Sequence, residues 1–119
     1  MLPAVRKVEG VERIRDGGSL AAKFWSDGGN RYILFVPFRR EGPTSYDRPV
    51  LIDCDPAKRP QDTERVRYSE LGGPYVSISW SQASGLLDEV LKAIGPMDRF
   101  QTHALQKMID VVHRDGVES

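Results

Sequence analysis

The stretch Leu20-Ala21-Ala22-Lys23-Phe24-Trp25-Ser26-Asp27-Gly28-Gly29-Asn30-Arg31-Tyr32-Ile33-Leu34-Phe35-Val36-Pro37-Phe38 decides the fold class. Its middle, Asp27-Gly28-Gly29-Asn30, consists of residues that tolerate positive φ, and such residues between two apolar runs specify a β-hairpin. In the first arm Leu20, Ala22 and Phe24 alternate onto one face. The second arm is apolar on both faces, which predicts a central strand covered from two sides. Pro37 has no N–H to give a ladder and marks the end of that strand.

Toward the C-terminus, strands are expected at Pro49 to Cys54, at Glu64 to Leu71 and at Tyr75 to Ser79, the last two joined by Gly72-Gly73-Pro74. In the last of these Val76, Ile78 and Trp80 alternate with Tyr75, Ser77 and Ser79, giving one apolar and one more polar face. Arg40 to Pro49 and Asp55 to Asp62 are proline-punctuated loops inside the domain. Toward the N-terminus, Val5, Val8, Val11 and Ile14 recur every third residue. That repeat fits a separate edge strand, a short helix or a poorly ordered arm, so residues 1–18 stay unassigned.

The final forty residues read as two helices. Ser79-Trp80-Ser81-Gln82 fits a capping box, followed by an apolar stripe of Leu86, Leu87, Val90, Leu91 and Ile94. Gly95-Pro96 is the expected stop, with glycine taking the left-handed cap. Asp98-Arg99-Phe100-Gln101 repeats the capping pattern and opens a helix to about His113, with Gly116 beyond its end. The fold class is therefore α+β: an antiparallel sheet of four to five strands followed by two C-terminal helices packed on one face.

Composition agrees with one domain over residues 1–119. The chain is 39% apolar and 29% charged with zero net charge, enough apolar content for a core and too little charge excess for disorder. A single cysteine, Cys54, excludes an internal disulfide, no signal-peptide core follows Met1, and no apolar run reaches membrane-spanning length. The expectation is a cytoplasmic protein with no membrane association. Residues 1–60 carry 11 basic and 8 acidic side chains, and residues 61–119 carry 6 and 9, a +3/−3 split too small for binding nucleic acid by charge alone.

No strong catalytic motif is present, which moves weight away from an enzyme. Asp53-Cys54-Asp55 is the best foothold for a divalent cation, but two carboxylates at a strand end are explained by an Asp-Pro turn. Ser77, Ser79, Ser81 and Ser84 straddle a strand-to-helix junction without the glycines of a nucleophile elbow, and helix capping accounts for them. His103 and His113 lie about 80° and roughly 15 Å apart on one helix, too far to share an ion. Cys54 has acidic neighbours, which oppose thiolate formation. The glycine pairs lack the spacing of phosphate or dinucleotide loops. No cofactor and no metal are expected.

Three binding surfaces suggest themselves instead. The last helix is apolar over a wide arc, which fits a helix wedged between the sheet and the preceding helix or one that also lines a homodimer interface, the commonest assembly type, with Leu105, Met108, Ile109 and Val112 as the interface candidates. This makes a binding or interaction module, acting as a homodimer on a protein partner, the leading expectation. The first alternative is a small-molecule pocket between sheet and helices lined by Trp25, Phe35, Trp80 and Phe100. The second is single-stranded nucleic acid on a sheet face carrying Arg39, Arg40, Arg65 and Arg67 among aromatics, a reading that no RNA-binding motif supports.

Overall fold

The Asp27–Asn30 turn closes through Ser26: its N–H donates to the Asn30 carbonyl at 2.8 Å, and its carbonyl and hydroxyl accept from Gly29 and Asn30. Of the four turn residues only Gly29 takes positive φ, at 86°. In this computed structural model the described residues are 2–14, 18–37, 46, 48–54 and 75–118, with side chains through residue 113.

The turn joins β2 (Leu20–Ser26) to β3 (Arg31–Val36), flanked by β1 (Val5–Arg13) on one side and by β4 (Val50–Asp53) and β5 (Tyr75–Ser77) on the other. All neighbours are antiparallel, in the order β1-β2-β3-β4-β5. The expected strand at Glu64 to Leu71 lies outside the described residues. Phe24 faces Tyr32 across the hairpin, their rings stacked with centroids 5.8 Å apart.

β1 resolves the period-three puzzle. Its pairing with β2 slips at two points, between Val5 and Lys7 and between Val8 and Gly10, so Arg6 and Glu9 are extra residues in β-bulges. Each bulge adds one residue to a repeat of two. Val5, Val8 and Val11, three apart in sequence, therefore face Ser26, Phe24 and Ala22, two apart on β2. All three valines belong to the core on the helix-bearing face, whereas Ile14 packs on the opposite one.

Two helices follow, α1 (Trp80–Ala93) and α2 (Arg99–Glu118). The Ser79/Gln82 capping box forms in full, each side chain bonded to the other's backbone N–H at 2.9–3.0 Å. The stop of α1 differs from expectation. Gly95 has no positive φ, and the helix ends because Ile94 turns extended (φ −74°, ψ 137°) and packs its side chain on the core. Asp98 caps α2 by accepting from Gln101 N–H at 2.8 Å. That helix runs through Gly116 to Glu118; a glycine in a helix costs about 1 kcal/mol, which weakens the last turns without ending them.

The sheet is apolar on both faces, as the central strand required. Leu20, Ala22, Phe24, Leu34, Val36 and Leu51 point toward the helices, while Ala21, Ile33, Phe35, Val50 and Ile52 form a second buried cluster behind. The helices do not cover their face evenly, because they pack chiefly on β1. At the far edge Val76 shares that face through its pairing with Leu51, yet it is 58% exposed. The expected alternation therefore holds, with Val76, Ile78 and Trp80 on one face, but only Ile78 is buried, since Val76 lies beyond the helices' reach.

Candidate functional site

Among the described residues strand order leaves β1 at an edge of the sheet, where every second residue turns its N–H and C=O away from β2. α2 packs alongside that edge. Gln101 marks the close approach, its Oε1 lying 3.3 Å from where a Cβ would stand on Gly10. Between the two elements runs a cleft of about 850 Å³. Glu9 to Arg13 form one wall; Asp98, Phe100, Gln101, His103, Ala104 and Lys107 form the other. Lys23 joins them from the face of β2 turned away from the helices, so the cleft wraps around the strand edge itself.

Phe100 is the conspicuous member. It is 74% exposed, with the Arg99 guanidinium 5.3 Å from its ring centroid. The charged members divide into occupied and free. Glu9 accepts two hydrogen bonds from Arg31 at 2.6 and 3.2 Å, and this pairing holds its carboxyl below the usual range. Lys23 meets Glu12 at 2.6 Å, and Asp98 is engaged in capping. Among the described residues Arg13 and His103 have no ion pair, and Lys107 has only the Tyr46 ring, 5.9 Å from its ammonium. The lining thus holds three acids and three bases, and among the described residues Arg13 and Lys107 are its cations without an acid partner.

Of the binding-site candidates named from sequence, Phe100 lines the cleft, as does His103, and the other described ones lie elsewhere. Trp25 and Phe35 are on the face turned away from the helices, Trp80 opens α1 against the helix-side core, and Phe100 is exposed at the cleft. Among the described residues these four do not converge between sheet and helices, because alternation along β2 and β3 puts Phe24 and Leu34 on that side instead. The interface candidates are consumed internally. Met108 and Val112 are fully buried, Leu105 nearly so, and Ile109 packs half-buried against the same core. The arc is wide because α2 has β1 on one side and α1 on the other. Arg39, Arg40, Arg65 and Arg67 lie outside the described residues, as does Asp55.

Of the remaining chemistry, Ser79 is the α1 cap, and His113 Nε2 lies 3.9 Å from Asp88 Oδ1 on α1. Cys54 is half-buried, and burial first, with Asp53 and Glu9 adding, pushes its thiol up despite the opposing Arg31 guanidinium. Among the described residues no three His, Cys, Asp or Glu side chains cluster as metal ligands, and no helix is long and apolar enough to cross a membrane. What the cleft offers is backbone hydrogen bonding, unspent cations and an aromatic surface. Sequence reading could not find it, because it depends on β1 being a strand and on α2 lying beside it. Comparison with family models, curated proteins and solved structures returns no match to the chain, so its geometry carries the functional reading.

Proposed function

We propose that this chain is a small binding module that recognises a protein partner through the cleft between β1 and the first turns of α2. The observation that carries the reading is the exposed ring of Phe100 on a cleft whose opposite wall is a sheet edge. An isolated exposed aromatic means little. Beside a strand edge and two cations without an acid partner among the described residues, an aromatic ring is placed to anchor a binding partner. The cleft is the size of a small-molecule site, but such sites are lined mostly by apolar side chains, and here only Val11, Phe100 and Ala104 are apolar. That lining favours a polypeptide.

A random-peptide display library selected against the chain tests this, with Phe100→Ala/Lys107→Glu as the counter-target. Enriched peptides that bind the native chain and lose the double variant support the cleft. No enrichment, or peptides that bind both equally, overturns it. Native mass spectrometry in parallel reads whether a second copy of the chain is itself the partner.

A further inference from the structure

Resting on that cleft, we infer that its occupant is an extended segment bearing acidic side chains, which adds to β1 as a further strand of the sheet. Two observations converge. After its two bulges β1 is in regular register over Gly10, Val11, Glu12 and Arg13, and these four line the cleft. Among the described residues no strand other than β2 pairs with β1. An extended chain laid along this stretch would satisfy the outward-facing backbone groups, which is how β-augmentation supplies affinity.

Charge complementarity supplies the specificity. Two of the three acids of the cleft are matched, Glu9 by Arg31 and Glu12 by Lys23, and the third, Asp98, faces the amide dipoles of the helix start it caps, whereas among the described residues Arg13 and Lys107 have no acid partner. Carboxylates spaced along the incoming strand would neutralise both cations. A basic segment would add to them. A continuous phosphate chain fits worse, because it carries acceptors alone and has no N–H groups to pair with the outward-facing carbonyls of β1. Beside Phe100, an apolar residue of the segment gains contact that its exposed ring now lacks.

The test is titration of the isotope-labelled full chain with three end-blocked hexapeptides: alternating Val-Glu, alternating Val-Lys, and Val-Glu N-methylated at alternate residues. Val-Glu is expected to slow amide exchange across Gly10 to Arg13. The Val-Lys peptide, and Val-Glu on an Arg13→Glu/Lys107→Glu variant, should bind at least about tenfold more weakly. N-methylation should abolish the slowed exchange, because it removes the ladder donors. Equal binding of Val-Lys, binding unaffected by N-methylation, or no effect of Val-Glu on these amides overturns the inference. Should that happen while library peptides still depend on Phe100 and Lys107, the occupant is wrong and the cleft stands. If library selection fails as well, both readings fall.

Discussion

Arg31 on β3 reaches across β2 to grip Glu9 on β1, Nε to Oε2 at 2.6 Å and Nη2 to Oε1 at 3.2 Å. The bulge makes this possible. Glu9 is the extra residue between Val8 and Gly10, with no register partner of its own, and a bulge re-aims the side chain it carries. One inserted residue thus keeps the valines on the core face and ties the edge strand to the sheet centre.

The pair makes stability depend on pH with a definite sign. Glu9 is held below its ordinary range in the folded chain, chiefly by the Arg31 hydrogen bonds. Its contribution is therefore complete above the unfolded carboxylate range and lost as pH falls through the lower folded value. The carboxylate is 44% exposed, so solvent screens the pair. Glu9→Gln should cost up to about 1 kcal/mol at neutral pH. Thermal melts of variant and native chain should converge in acid, below the carboxylate range.

Ser79→Ala removes the hydroxyl that accepts from Gln82 N–H at 3.0 Å and leaves half of the capping box. Urea unfolding should report a loss of about 1 kcal/mol with the slope unchanged.

Met108 is fully buried between α2, the sheet and α1. Met108→Ala should destabilise by about 2–5 kcal/mol, the range for emptying a buried site. Leu105→Asp should lower the melting temperature of the chain itself instead of converting a stable dimer into a stable monomer, and size-exclusion chromatography separates those outcomes.

Cys54 should react slowly. Burial raises its thiol, so less thiolate is present near neutral pH than in a free cysteine. Iodoacetamide labelling of the native chain should lag well behind glutathione and accelerate once the chain is unfolded.

Much of the fold is readable where one local rule dominates. The hairpin follows from its turn residues and two apolar arms, and the α1 start from Ser79 and Gln82. Reading fails where two rules compete. Bulges at Arg6 and Glu9 convert a strand repeat of two into an apparent repeat of three, which sequence periodicity cannot separate from a helical turn. Gly95 looks like a left-handed cap, but burial of Ile94 draws the chain out first. The breadth of the α2 arc reports how many neighbours a helix has and does not say whether one belongs to a second chain. The cleft suffered from the first of these failures. Phe100 is visible in the sequence, but its facing wall is not until β1 is placed.

On the proposed function Phe100 is exposed for binding and carries no weight in folding. Phe100→Ala should leave the midpoint of urea unfolding within about 0.5 kcal/mol of the native chain, as expected at an exposed site. The most direct measurement is the affinity of a library-selected peptide for that stable variant. If the cleft is the binding site, the loss is at least about tenfold, matching the >1 kcal/mol that marks a hot-spot truncation. Undiminished affinity in a folded Phe100→Ala chain would contradict it.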